Sequence, residues 1–294
     1  MQRLAIVNRH LGLQASPRPQ VAEAAPAPRS ATCAIAAEVG KRPLCRNGPL
    51  VSAIGFGAWP IGGGMGVVDA DVGGDAVREA VRSGQSFIDT AEMYEIASTT
   101  QERLAGTGQV GSERVIGRAL ADHLDLKSEA FYATKASVQP YTRENIHAAA
   151  MRSVSNLQVD TIDLYQLHGV DNETPIAEQM SALKELQDAG TITYIGLNNM
   201  SATAQLDAAW ATGVRFHTLQ VRYNMFARDI EEEVVPWCRK HGVGILAHSV
   251  LGKGLLTGKY RPGHVFPEDD ERADPSRAVR DSSFSHCLRP DNGS

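Results

Sequence analysis

Phe87-Ile88-Asp89-Thr90-Ala91-Glu92-Met93-Tyr94 is the stretch whose reading decides the fold. An apolar pair runs straight into Asp89, and Tyr94 follows one short loop later. A buried strand whose mouth carries polar chemistry ends in this way: apolar residues fill a core, and the first polar side chains face the exit. Working outward, three later segments repeat the pattern. Lys135 follows Phe131-Tyr132-Ala133-Thr134, His168 follows Leu164-Tyr165-Gln166-Leu167, and Asn198-Asn199 follow Ile192-Thr193-Tyr194-Ile195-Gly196-Leu197. A lone strand-end Asp or Lys is ordinarily a solvated cap, and a lone His ordinarily sits in a structural role. Four such ends in succession point instead to one site assembled from distant pieces of chain.

The alternation extends on both sides. Asn47-Gly48 lies between Pro43-Leu44-Cys45 and Leu50-Val51-Ser52 and predicts a hairpin, since both residues tolerate positive φ. Ile54 to Trp59 reads as a buried strand entering a glycine-rich loop, Ile61 to Gly66. Helical spacing follows over Val72–Ser83, with Val77, Ala80 and Val81 on one face. Further strands are expected at 87–89, 131–134, 162–167, 192–197, 215–221 and 244–247. Helices are expected near 113–124 and at 143–157, 175–188, 202–212 and 229–240. Short apolar strands alternating with helices imply a parallel sheet covered by helices. Seven units are countable, whereas a closed (β/α)₈ TIM barrel needs an eighth.

Composition sets the outer limits. The chain has 294 residues, 43% hydrophobic and 21% charged, enough for a sizeable core. A formal net charge of -5 leaves no basic excess to replace counterions, which argues against nucleic acid or an anionic membrane as partner. No apolar run approaches the roughly 20 residues that span a bilayer. Cys33, Cys45, Cys238 and Cys287 share no short spacing, so neither a zinc site nor a disulfide framework is expected and a reducing, cytoplasmic setting is the default. Residues 1–41, rich in Ala, Pro and Arg, read as a disordered extension, with a transit peptide as the rival reading. Residues 42–262 form the expected barrel domain and 263–294 an irregular tail in which nothing reads as a buried strand.

From about Arg42 to Tyr260 the chain resembles the aldo-keto reductases. The resemblance rests on an ordered set of motifs: Gly55-Phe56-Gly57-Ala58-Trp59, Phe87 to Tyr94, Ala133-Thr134-Lys135, Asp163 to His168, Ile195-Gly196-Leu197-Asn198-Asn199, Gln220 with Tyr223-Asn224, and Gly254 to Tyr260. It implies a (β/α)₈ barrel that binds NADP(H) and moves a hydride between the nicotinamide and the carbonyl or alcohol of a small molecule. It implies Asp89, Tyr94, Lys135 and His168 as the catalytic set, with Tyr94 the proton donor. A free phenol, pKa ~10, is a sluggish acid at neutral pH, so a nearby cation such as Lys135 should lower it, with Asp89 holding that cation in place. His168 would orient the carbonyl oxygen.

Cofactor contacts carried over from the resemblance are Gly57, Ala58, Trp59, Asp89, Asn198, Asn199, Gln220, His248, Ser249, Leu251, Gly252, Gly258 and Lys259. Asn199 and Gln220 match carboxamide-binding positions, and Asn198 stands where Ser is usual. His248 stands where the family stacks Tyr or Trp on the nicotinamide. Ser249 to Lys259 matches the diphosphate loop, whose glycines allow close backbone approach. Two departures stand out. Glu95–Gly111 is longer than the family's short loop and reads as a lid or a plain insertion. The match stops near Arg272, which leaves strand edges open to self-association. The alternative function is therefore an impaired barrel fragment that binds partners. A metal-dependent hydrolase would gather His and carboxylates where Tyr94 and Lys135 stand, so no metal is expected.

Overall fold

The computed structural model describes residues 39–63, 65–66, 68–94, 111–137, 139–260, 264–267, 270 and 272. Residues 1–38 of the expected N-terminal extension, 95–110 of the insertion and the last part of the tail lie outside the described residues; Lys41, the last residue of the expected extension, belongs to the first strand.

The chain enters through a hairpin, β1 (Lys41–Pro43) and β2 (Leu50–Ser52), paired antiparallel with Lys41 opposite Ser52. Of the expected turn pair, Asn47 takes the positive φ, at 62°. Seven parallel strands follow in sequential order: β3 (Phe56–Gly57), β4 (Phe87–Asp89), β5 (Phe131–Ala136), β6 (Ile162–Leu167), β7 (Ile192–Asn198), β8 (Thr218–Arg222) and β9 (Gly244–His248). Helices α1 (Ala70–Arg82), α2 (Ser112–Ala121), α3 (Leu124–Glu129), α4 (Arg143–Leu157), α5 (Ile176–Asp188), α6 (Thr203–Ala211) and α7 (Val234–His241) connect them.

Local chemistry sets the helix starts. Asp69 caps α1 by accepting from Asp71 N (2.9 Å) and Val72 N (3.1 Å). Thr142 caps α4 by accepting from Asn145 N at 3.2 Å. The helix expected over 229–240 is shorter. Pro236 lacks an N–H and its ring would meet the carbonyl four residues back, so it is tolerated only in a first turn. The helix therefore begins at Val234, and Asp229–Glu231 forms a separate 3-10 turn. Similarly, 113–124 is one helix only to Ala121. The strand expected over 54–59 shrinks to Phe56–Gly57 and leaves Ile54 63% exposed. Among the described residues β3 pairs only with β4, so no strand pairs with its other edge.

Alternation along the strands splits the core in two. Ile88, Tyr132, Tyr165, Leu167, Ile195, Leu197, Leu219 and Val221 face the helices and join Val77, Val115, Ile146, Leu183 and Leu206 in the main cluster. Phe87, Ala133 and Leu164 point to the other face, where Leu44 and Val51 of the hairpin pack on them. Ser52 Oγ accepts from Phe87 N at 3.0 Å. The hairpin thus floors the sheet at the strands' beginnings and leaves their ends for chemistry. Beyond Tyr260, Phe266 and Asp270 are buried and Asp270 bridges Met65, so part of the expected irregular tail is packed on the body.

Candidate active site

Strand register brings the polar residues to one level. Gly57 pairs with Asp89, Asp89 with Ala133, Lys135 with Gln166, Gln166 with Gly196, and Asn198 with Gln220. Gly196 is required there. A Cβ would lie 2.6 Å from Thr218 Oγ1 and 2.7 Å from Gln166 Cγ.

Lys135 is the centre of the arrangement, with a fully buried side chain. Its Nζ donates to Asp89 Oδ2 at 2.7 Å, to Thr90 O at 2.7 Å and to Tyr94 OH at 3.3 Å. Burial works against its charge, but Asp89 and the Tyr94 oxygen outweigh burial and the net direction of its pKa is upward. The ammonium is therefore a fixed cation against a phenol oxygen. Asp89 is held from its other side by Gln220 Nε2 (2.8 Å) and Gln166 Nε2 (3.4 Å).

His168 sits edge-on to Tyr94, with ring centroids 5.7 Å apart. Burial first, and then the Lys135 cation, lower its pKa to about 3. The imidazole is neutral at physiological pH. Its Nδ1 lies 2.9 Å from Ser137 Oγ, whereas that hydroxyl is 3.5 Å from Lys135 O. A Ser137 hydroxyl hydrogen directed to Nδ1 leaves the ring proton on Nε2, whereas one directed to Lys135 O leaves the hydroxyl to accept from Nδ1–H.

The ends of β7 and β9 complete the rim. Asn199, at φ 59°, donates to His168 O (3.1 Å), and its Oδ1 lies 3.0 Å from His248 Nε2. His248 Nδ1 lies 3.1 Å from Ser249 Oγ. Asn198 Oδ1 is buried without a hydrogen-bond partner among the described residues. After β9 the backbone is left-handed at Ser249, Gly252, Lys253, Gly254 and Gly258, within and around a 3-10 turn over Gly252–Thr257. Nothing lies within 4 Å of where a Cβ on Gly258 or Gly57 would stand. Ala58 N donates to Asp89 O (2.8 Å), and Lys253 Nζ lies 5.6 Å from the centre of the Trp59 ring. Leu251 and Lys259 are exposed, the latter with its ammonium 5.6 Å from the Tyr260 ring.

Asp89, Tyr94, Lys135 and His168 are thus brought together, with Asn198, Asn199, Gln220 and His248 around them. Gly57, Ala58, Trp59, Ser249, Leu251, Gly252, Gly258 and Lys259 belong to the flanking loops. Ser137, Gln166 and Thr90 escaped the sequence reading. The inward alternation of Lys135, Ser137 and Gln166 is the one signal that could have flagged two of them. Among the described residues, no three His, Cys, Asp or Glu stand together as a metal cluster.

The profile of the Aldo/keto reductase family matches residues 53–285. The chain belongs to that family. The match runs past Arg272, where the motif-by-motif resemblance ends. The aldo-keto reductase YhdN of Bacillus subtilis is 36% identical over 238 residues, covering 78% of this chain and 67% of that protein. The glycerol dehydrogenase AKR11B4 of Gluconobacter oxydans superposes with a TM-score of 0.64 at 31% identity, over 77% of this chain and 68% of that one. An aldo-keto reductase of Klebsiella pneumoniae, solved in complex with NADPH, gives 0.63 at 29% identity over 76% and 72%. As an aldo-keto reductase the chain has the fold the sequence implied: an incomplete (β/α)₈ barrel of seven parallel strands, among the described residues, with an N-terminal hairpin.

Proposed function

We propose that this aldo-keto reductase transfers a hydride between NADP(H) and the carbonyl or alcohol carbon of a small aldehyde, ketone or alcohol, with Tyr94 as general acid and base. The observation that carries the reading is Lys135 Nζ, 2.7 Å from Asp89 and 3.3 Å from the Tyr94 oxygen.

Reduction of a carbonyl builds negative charge on its oxygen, which needs a proton and a polar cradle. Tyr94 OH gives the proton. Lys135, held cationic by Asp89, stabilises the charge left on the phenol oxygen. Neutral His168 offers its Nε2–H to the carbonyl oxygen and fixes that oxygen beside Tyr94. In the alcohol direction the same phenol oxygen takes the proton back.

The residues present fit the cofactor. The orphaned Asn198 Oδ1 can accept from a carboxamide N–H, and the left-handed, open-faced backbone after β9 can approach a diphosphate. Asn198 and Gln220 would hold the carboxamide, and Asn199 has a second Nδ2–H and a second Oδ1 lone pair beyond its contacts with His168 O and His248. His248 would flank the nicotinamide. Ser249, Leu251, Gly252, Gly258 and Lys259 would hold the phosphates, with Gly57, Ala58 and Trp59 opposite. Bound there, NADP(H) supplies or receives the hydride. The phosphorylated cofactor is taken from the Klebsiella pneumoniae relative's NADPH complex.

No helix among the described residues is long and apolar enough to cross a membrane. Cys45 and Cys238 are buried free thiols, which suits a cytoplasmic setting. The test is NADPH oxidation with 4-nitrobenzaldehyde. Tyr94→Phe should lose ~100-fold or more of the rate with NADPH affinity retained. Equal rates in both proteins would remove Tyr94 from its role. A second reading, a partner-binding or self-associating barrel, is favoured by the edge strand β9, whose outer side has no paired strand among the described residues. A dimer on gel filtration without NADPH binding would select it.

A further inference from the structure

The start of α2 is unaccounted for by the roles above. Ser112 and Glu113 are 0% and 2% exposed, an unusual setting for a carboxyl. Four hydrogen bonds run from them. Ser112 N donates to Tyr94 O at 3.2 Å. Ser112 Oγ and Thr90 Oγ1 share a hydrogen at 2.7 Å. Glu113 Oε1 accepts from Thr134 Oγ1 at 2.6 Å, and Oε2 accepts from Asn156 Nδ2 at 3.0 Å.

The targets are specific. Thr90 follows Asp89 and gives its carbonyl to Lys135 Nζ. Thr134 precedes Lys135 on β5, pointing outward where Lys135 points inward. Tyr94 is the proposed acid itself. One helix start is therefore bonded to the Tyr94 backbone and to the Thr90 and Thr134 hydroxyls, on both sides of the contact between Lys135 and Tyr94. We propose that Glu113 is a positioning residue for proton transfer: its bond to Thr134 seats α2 on β5, and the seated helix holds Tyr94 against Lys135. The inference rests on the reading of Tyr94 as acid.

The surroundings support a deliberate polar joint. Glu92, bonded to Arg152 at 2.5 Å, lies near enough to push the Glu113 pKa further in the direction that burial, the larger cause, already drives it, upward; the bonds from Asn156 and Thr134 oppose this. Tyr165 OH and Ser153 Oγ, buried without a hydrogen-bond partner among the described residues, face the same joint. Glutamine at 113 would keep an oxygen for Thr134 and, once Asn156 turns over and gives up the exposed bond from Arg114 Nε at 3.2 Å, an amide pair with it. Alanine would strip both partners and leave buried polar groups unmet.

The experiment compares the full chain with Glu113→Gln and Glu113→Ala. It measures NADPH affinity by fluorescence, kcat and KM with an aldehyde, and phenolate absorbance against pH as a difference from the matching Tyr94→Phe protein. Glu113→Ala should lower kcat ~10- to 100-fold, the scale of a misplaced catalytic group, with KM and cofactor affinity within about threefold. Its Tyr94 titration should move to higher pH. Glu113→Gln should restore most of kcat and the original titration. A Glu113→Ala protein that only melts earlier, with kcat and titration unchanged, would overturn the proposal. So would a Gln variant as impaired as the Ala variant. Should the wild type fail to oxidise NADPH, the proposed reaction falls, while the titration still decides the role of Glu113. If Glu113→Ala does not fold, Thr134→Val against Thr134→Ser breaks and keeps the same bond from its other end, with the same outcomes.

Discussion

His168 shows how a single side chain is tuned by its place. Its ring is removed from water and set near a cation, so its pKa falls from the ordinary 6.5 to about 3. The unfolded chain therefore binds a proton between those values that the native chain does not. Stability from this residue is fully present above 6.5 and is lost as pH falls toward 3. At full effect the slope is about 1.4 kcal/mol per pH unit. Urea unfolding of the wild type at about pH 7 and about pH 5 should show a loss that shrinks in His168→Gln. A loss of equal size in both proteins would assign the acid sensitivity elsewhere. Ser137 belongs to the same argument, because its hydroxyl is the partner of the ring's Nδ1 at 2.9 Å. Ser137→Ala should lower kcat by about tenfold through the freed tautomer, with NADPH affinity retained; an unchanged kcat would mean the ring is oriented without it.

Elements carry the residues to each other, and their packing contains a second joint behind the site. Gly117 lies on α2 against α4, where a Cβ would stand 2.3 Å from Asn156 O. Alanine in a helix interior gains up to ~1 kcal/mol of propensity over glycine. The close atom here is backbone, which cannot swing aside, so overpacking wins at about 1–3 kcal/mol. Gly117→Ala should lower the denaturant midpoint and also kcat, because Asn156 holds Glu113. A raised midpoint would show that α2 and α4 can separate at no cost. At this scale the sequence was informative where periodicity and burial coincide. The α4 helix and β6 were read to the residue, and Asp89, Tyr94, Lys135 and His168 were legible as strand ends. Pro236 is the local feature that sets the start of α7 at Val234. Ser137, Gln166 and Glu113 were not legible as site residues. Their importance comes from contacts across 21 to 77 positions of chain, which no local pattern encodes.

At the scale of the molecule, the first and last strands of the sheet are not paired with each other among the described residues. Their loops are nonetheless joined. Lys253, after β9, reaches the ring of Trp59, after β3. Asp270 bridges Met65, and Arg272 donates to Lys253 O at 3.1 Å and to Tyr260 OH at 2.9 Å. The Asp270 and Arg272 side chains, 3% and 8% exposed, form a forked ion pair with Nε to Oδ1 at 2.8 Å and Nη2 to Oδ2 at 2.5 Å. Desolvation makes such a pair a weak source of net stability, yet removing one partner strands the other. Asp270→Asn should therefore cost on the order of 3 kcal/mol in urea unfolding, and Asp270→Leu with Arg272→Met should recover part of that loss. The guanidinium also props the carbonyl of Lys253, a residue at φ 51° inside the proposed diphosphate loop. Asp270→Asn should thus weaken NADPH binding about tenfold, while the apolar pair restores stability without restoring affinity. If stability and affinity return together, the segment around Asp270 is a fastening alone; if only stability returns, it shapes the loop that the cofactor meets.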